Sequence, residues 1–256
     1  MERGYQLDYS NLVTAMHDLL VRERKARTMV AVLQDYFRQP LDSLTLLNVG
    51  GSTGIIDNYL AGHFRSVVGV DIDAAAIEHA KKTYERDNLA FEIGDAMALR
   101  YPDNSFDVAV CSQVYEHVPD AGAMMKEIFR VLKPDGVCYF AANNRIMWKE
   151  PHYDLPLLSL VPRPLAHVYI RLAGKADYYH ELHLSYWGLR RLVRSFKIHD
   201  YTGRIMRAPD KYAVEYMVRR GTAKARIAVF IAQYLYWLMP GYVWILQKKP
   251  EPVDHS

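Results

Sequence analysis

Leu44-Thr45-Leu46-Leu47-Asn48-Val49-Gly50-Gly51-Ser52-Thr53-Gly54 decides the fold: an apolar run that stops at three glycines within five positions. Leu44 to Val49 reads as a buried strand, and the glycine-rich stretch as a strand-to-helix turn whose backbone a ligand can approach closely. Working outward, the rhythm repeats. Val67 to Asp71 is a second strand, followed by a helix over Ala74 to Arg86. Leu89 to Ile93 and Phe106 to Cys111 are the third and fourth strands, a helix covers Ala121 to Leu132, and Gly136 to Ala141 is the fifth strand. Apolar strands alternating with helices predict an α/β protein with a mostly parallel sheet covered on both faces. Upstream, Tyr9 to Phe37 has helical spacing with Arg22, Arg24, Lys25 and Arg27 interleaved. Downstream of Ala142 the rhythm stops: residues 143–184 carry Pro151, Pro156, Pro162 and Pro164 with His152, His167, His180 and His183, and read as an inserted cap. A helix over Ser185 to Ser195, a strand over Phe196 to Tyr201, an apolar helix around Ile227 to Met239 and a strand over Tyr242 to Gln247 complete the chain.

Composition narrows the class. Of 256 residues, 50% are hydrophobic and 24% charged, so a sizeable core is available and wholesale disorder is excluded. A net charge of +3 is too small to argue for nucleic-acid binding. Cys111 and Cys138 both sit in apolar runs, so they read as buried thiols of a reduced compartment. Met1 to Tyr5 lacks the layout of a secretory signal, so the chain is expected to be cytoplasmic.

The turn itself separates three ligand classes. A phosphate loop needs a Lys after its last glycine, and none follows Gly54. A dinucleotide fingerprint needs glycines at 50, 52 and 55, where the chain has Gly, Ser and Ile, which disfavours a dehydrogenase. A turn with glycines at both ends remains, suited to an uncharged or zwitterionic nucleoside. Asp71, at the tip of the second strand, is placed to accept hydrogen bonds from ribose hydroxyls. Gly94-Asp95-Ala96 puts a second carboxylate at the neighbouring tip. Either Asp alone could be a helix cap; both at strand tips favour a nucleoside site.

These residues, with Tyr101 to Asp107 and Arg130-Val131-Leu132-Lys133-Pro134-Asp135-Gly136, resemble the class I S-adenosylmethionine-dependent methyltransferases, in particular the subgroup of quinone-biosynthesis enzymes. The resemblance implies a Rossmann-like, seven-stranded, mostly parallel sheet with helices on both faces and cap insertions. It implies S-adenosyl-L-methionine as cofactor. Asn48, Gly50, Gly51, Ser52 and Gly54 would hold its methionine part, Asp71 the ribose and Ile72 a face of the adenine. Asp95 and Ala96 would read the adenine edge, and Ser112 and Gln113 would face the methionine end. The chain then divides as one methyltransferase domain over 1–256: a helical cap at 1–39, the cofactor-binding core at 40–142, insertions at 143–184 and 203–241 forming an acceptor cap, and 185–202 with 242–249 completing the sheet. Two residues depart from the family: Asn48 stands for an acidic residue and Ser52 for a central glycine.

The methyl group of a sulfonium is already electrophilic, so the protein mainly aligns the reactants and, for a hydroxyl acceptor, takes its proton. Histidine suits that task, and His117, His152, His180 and His183 are the candidates. The run Gln113-Val114-Tyr115-Glu116-His117 resembles a Glu-x-x-Glu-His metal-binding run of related O-methyltransferases, but with Gln113 in the first place no metal is expected. Between Arg204 and Arg226 seven Lys and Arg residues face only Asp210 and Glu215. Beside them, Ile227 to Leu246 is dense in apolar residues but broken by Pro240-Gly241. That pattern fits either a helix packed against the sheet with its aromatics buried or one lying in a membrane interface, and disfavours a span. The function expected is methyl transfer to an oxygen of a small, hydrophobic or lipid-linked acceptor, with no nucleic-acid partner. The alternative is a non-catalytic binding protein of the same fold, for which Asn48 and Ser52 speak.

Overall fold

Leu46 and Leu47 are adjacent in sequence, and both are fully buried. They lie in different hydrophobic clusters, one on each face of a central sheet. The same alternation runs through Val108 and Ala109, Val110 and Cys111, Val137 and Cys138, and Tyr139 and Phe140, the first of each pair on one face and the second on the other. This period of two, apolar on both faces, is what a sheet sandwiched between helices requires. The structure, a computed structural model, describes residues 6–249; the reading of Met1 to Tyr5 lies outside them.

The strands are β1 (Thr45–Val49), β2 (Ser66–Asp71), β3 (Leu89–Ile93), β4 (Phe106–Ser112), β5 (Leu132–Asn143), β6 (Lys149–Glu150), β7 (Leu155–Pro156), β8 (Phe196–Asp200) and β9 (Gly241–Lys248). The α-helices are α1 (Tyr9–Leu12), α2 (Leu19–Phe37), α3 (Ile55–Ala61), α4 (Ala74–Thr83), α5 (Ala121–Val131), α6 (Arg163–Leu172), α7 (Tyr186–Leu192), α8 (Thr202–Arg207) and α9 (Ala223–Tyr234). Seven strands form one sheet in the order β3-β2-β1-β4-β5-β9-β8. Only β9 runs against its neighbours, pairing antiparallel with both β5 and β8. The order reverses between β1 and β4, and a crevice at such a switch point, outside the carboxyl ends of the strands, is where open α/β sheets bind ligands.

Two expectations change in detail. The helix read over Tyr9 to Phe37 is broken: α1 ends at Leu12, and Asp18 starts α2 by accepting the Val21 N–H at 3.0 Å. An extended Asp cap cannot be passed by a continuous helix. β5 also begins earlier than Gly136, at Leu132, with a register shift between Phe106 and Val108. The residues of the Arg130–Gly136 motif do structural work here. Arg130 donates to the carbonyls of Leu99 and Tyr101 and to Asp103 and Glu127, and Lys133 reaches Asp107, which also accepts from the Thr45 N–H and hydroxyl. Residues 203–241 lie toward the β8 and β9 side. Ile205, Tyr212 and Val214 pack in the same cluster as α2, and Ala232 of α9 joins the opposite one.

Beneath the glycine turn, the fully buried Asp57 of α3 occupies the space above Gly69 of β2. A Cβ at Gly69 would lie 2.7 Å from Oδ1 of Asp57 and 3.2 Å from the Phe91 ring. Gly69→Ala is therefore expected to destabilise the fold by roughly 1–3 kcal/mol, the cost of overpacking a close-packed core. Urea denaturation of the variant checks this, and an unchanged midpoint would refute the wedge.

Candidate active site

The carboxyl ends of β1 to β4 and the turn after β1 build one cleft. The N–H groups of Gly50 and Gly51 both donate to the Val70 carbonyl, at 2.8 and 3.1 Å, which folds the turn over β2. The Ser52 N–H donates to Oδ2 of Asp71 at 2.8 Å and the Asp73 N–H to Oδ1 at 3.0 Å. Asp73 does the capping of α4, accepting the Ala76 N–H at 3.0 Å, so Asp71 is not the cap. Burial raises the Asp71 carboxyl above the ordinary value, and the two N–H groups pull it back only in part. Ser52 adopts φ 52°, a left-handed conformation open to a non-glycine residue at modest cost. Gly54 is different: at φ 78° a Cβ would meet Ala80 at 2.7 Å and Phe91 at 2.8 Å, so only glycine fits.

The cleft holds about 900 Å³ counted out through its open mouth, solvent space included. Gly50, Ser52, Asp71, Ile72, Asp95, Ala96, Ser112, Gln113, His117 and His152 line it. Asn48, Gly51 and Gly54 stand behind the turn instead. The Asn48 side chain is 3% exposed and its Nδ2 donates to Oδ1 of Asp57 at 2.9 Å, so it steadies the turn from below. His180 and His183 do not line the cleft. Residues 179–183 are extended, and alternation buries Tyr179, Glu181 and His183 while turning His180 and Leu182 outward. None of residues 203–241 lines it either.

The far wall comes from the N-terminal segment. Gln6, Tyr9, Met16, Arg22 and Lys25 all line the cleft, and sequence reading assigned none of them. The segment is stitched down at three points. The Thr53 hydroxyl donates to the Met16 carbonyl at 2.7 Å, the Ser10 N–H to Asp73 at 2.8 Å, and the Tyr9 ring lies 4.7 Å from that of His117. Arg22 had a signal: positions 22, 26, 29 and 33 share one helical face, and Ala26, Met29 and Leu33 are core residues. A cation on that face is a cation turned inward, and Nε of Arg22 has no hydrogen-bond partner among the described residues. Burial, then the neighbouring Arg22, pull the Lys25 ammonium down to about 8; its Nζ donates to Gln113 at 3.3 Å.

Two hydrogen bonds set the tautomer of His117. A carboxylate only accepts, so the Gln6 amide turns its Nε2 to Glu181 (3.2 Å) and its Oε1 to Nδ1 of His117 (2.6 Å). Nδ1 thus carries a proton, and in the neutral ring the lone pair is on Nε2. His152 is held otherwise: its Nδ1 lies 2.5 Å from Oε1 of Glu150. Burial alone would lower the His152 imidazole, but the Glu150 carboxylate outweighs it and holds the ring above its ordinary value. Glu150 and Glu181 also escaped the sequence reading. The repeated spacing Glu150-Pro151-His152 and Glu181-Leu182-His183 was their signal, since residues two apart in extended chain share a side.

A glycine turn with strand-tip carboxylates at the switch point of this strand order matches a Rossmann-like, class I methyltransferase fold. Residues 47–140 match the family model described as a methyltransferase domain. Over 120 residues the chain is 37% identical to a probable S-adenosylmethionine-dependent methyltransferase of Mycolicibacterium smegmatis, covering 47% of this chain and 46% of that protein. It is 30% identical over 123 residues to the ubiquinone biosynthesis O-methyltransferase of Actinobacillus pleuropneumoniae, covering 44% of this chain and 53% of that one. The chain thus spans about half the length of these curated relatives. Among solved structures, a SAM-dependent methyltransferase from Methanosarcina mazei superposes with a TM-score of 0.54 at 22% identity, covering 82% of this chain and 94% of that one. A protein from Pyrococcus horikoshii superposes at 0.58 and 17% identity, covering 94% and 98%. At these identities the superpositions speak for the fold.

Asp57 yields a pH test of the turn's foundation. Burial pushes its carboxyl up to about 7, against the lowering pull of Asn48 and Arg22. The folded state therefore keeps a proton that the unfolded chain has lost, so stability from this group is full below about pH 4 and is lost as pH rises through about 7. Between pH 5 and 8 the wild type should lose roughly 2–3 kcal/mol relative to Asp57→Asn, measured by chemical denaturation of both at each pH. Parallel curves would refute the assignment.

Proposed function

We propose that the chain binds S-adenosyl-L-methionine in this cleft and transfers its methyl group to a hydroxyl of a small, hydrophobic acceptor. The observation that carries the reading is that the nucleoside cradle and His117, with its lone pair on Nε2, share one cavity. The residues fit the cofactor. Asp71 receives the ribose hydroxyls, Ile72 and Ala96 flank the base, and Asp95 is placed at its edge. The buried Arg22, whose Nε lacks a partner among the described residues, and Lys25 suit the carboxylate of its methionine end. Bound there, the cofactor would supply an electrophilic methyl group on its sulfonium, with the neutral thioether as the leaving group. The chain's own part is to align the acceptor and to receive its proton on Nε2 of His117. Tyr9 and Met16 close the cleft and exclude water.

Exposed apolar faces support a hydrophobic or lipid-linked acceptor met at a membrane surface. On α6, Leu165, Val168 and Leu172 share one outward face. On α9, Ile227, Phe230 and Tyr234 do the same next to Arg220 and Arg226, while Ala225 and Ala232 face the core. No helix among the described residues is long and apolar enough to cross a membrane. Apolar faces flanked by cations suit an anionic lipid interface.

Two experiments test this. Calorimetry should show one cofactor site, weakened at least about tenfold in Asp71→Ala, as expected when a charged hydrogen-bond partner is lost. Mass spectrometry of lipid and small-molecule extracts incubated with the protein should show a 14-dalton increment. His117→Ala should cut its rate by roughly 10²–10⁴-fold with cofactor affinity kept, and His180→Ala should leave it unchanged. Cofactor binding with no increment in any extract would favour the non-catalytic reading. Separately, the protein should float with anionic liposomes at low salt, less so with Phe230→Ser and Leu172→Ser; failure to float at any salt points to a soluble acceptor.

A further inference from the structure

We propose that Glu150, His152 and His183 form a binding site for one divalent first-row transition cation, set beside the cleft and apart from the nucleoside cradle. Both imidazoles converge on the same oxygen: Nδ1 of His152 lies 2.5 Å and Nε2 of His183 lies 3.2 Å from Oε1 of Glu150. All three donor atoms fall within 4.8 Å of one another. A tetrahedral cation about 2.1 Å from each donor separates its ligands by roughly 3.4 Å, so small side-chain shifts close the set around it. Glu150 is already aimed, since its other oxygen accepts the N–H groups of His152 at 2.8 Å and Tyr153 at 2.9 Å. Such outer contacts orient a ligating carboxylate.

Charge gives an independent reason. Glu150 is 0% and Glu181 2% exposed, and among the described residues their ion-pair contacts are to imidazoles alone, with no Lys or Arg within 4.0 Å. A buried carboxylate depends on a cationic neighbour; at Glu150 only imidazoles fill that role, and a divalent ion held by the same three side chains fills it as well. Two nitrogens and one carboxylate oxygen with positions left open suit zinc, cobalt, manganese or iron better than magnesium or calcium. The expectation of no metal rested on Gln113 in the Gln113–His117 run, and that run supplies none of these three ligands. His152 lines the cleft, and its ring lies 4.9 Å from that of His117. A cation held there would acidify an acceptor oxygen, leaving His117 to take the proton. That role rests on the methyl-transfer reading; the cation site does not.

Protein stripped with a chelator and dialysed against Zn²⁺ or Co²⁺ should retain about one equivalent by elemental mass spectrometry, and the cobalt form should show the visible absorption of a low-coordinate site. Glu150→Gln and His183→Ala should weaken uptake at least tenfold, while His180→Ala, on the same extended segment, should not. Absence of stoichiometric uptake by the wild type, or full uptake by a folded His183→Ala, overturns the site. Should His183→Ala fail to fold, the Cu²⁺-loaded wild type is read by electron paramagnetic resonance: coupling to two imidazole nitrogens supports the site, and its absence overturns it. Calorimetry with S-adenosylmethionine on the same stripped samples separates the two claims. Metal uptake without cofactor binding sinks the methyl-transfer reading alone, and cofactor binding without metal uptake sinks the cation site alone.

Discussion

Three consecutive backbone N–H groups tie the first turn to the second strand: those of Gly50 and Gly51 to the Val70 carbonyl, and that of Ser52 to the Asp71 carboxylate. The rest of the site depends on this junction. It bends the chain sharply enough to open a space at the sheet's switch point, and it holds Asp71 facing that space. Side chains beneath support it. Asn48 and Asp57 form a buried pair under the turn, so the residue that departs from the family's acidic pattern acts as a strut. A carboxyl does stand nine residues on, in α3, where burial pushes its pKa up to about 7 and favours its neutral form.

The cavity is completed by segments far apart in the chain. The N-terminal stretch from Gln6 to Lys25 lies over the turn, and the insertion after β5 brings His152 to the other side. Gln6 connects them, bridging Glu181 and His117 through the two ends of one amide. A single side chain thereby places a proton on Nδ1 of the histidine that lines the cleft. This is a buried corner of three histidines and several carboxylates, where partner geometry rather than residue type sets the surroundings of each ring.

The sheet was legible in advance because its signals are local. Apolar runs of five or six residues, glycine turns and alternating helical patterns can each be read without knowing what packs on them. The strand-tip carboxylates Asp71 and Asp95 followed from the same rhythm; His117 and His152 were two of four histidines put forward for their chemistry. What escaped were residues whose function is set by a partner distant in sequence. Arg22 and Lys25 were read only as basic residues interleaved in a helical pattern, and it is the packing of α2 that turns Lys25 toward Gln113. Glu150 and Glu181 gain their histidine partners only through the fold of the insertion.

The sequence alone thus determined the strand rhythm, the crevice and the class of ligand it suits, since backbone conformation and burial are written within a few residues. The tertiary structure alone decided which of four histidines reaches the cleft, that Asn48 supports the turn from below, and that the N-terminal segment closes the site. Those outcomes depend on contacts such as Gln6 with Glu181 and Ser10 with Asp73, 175 and 63 residues apart. No local pattern encodes which distant side chain will arrive to pair.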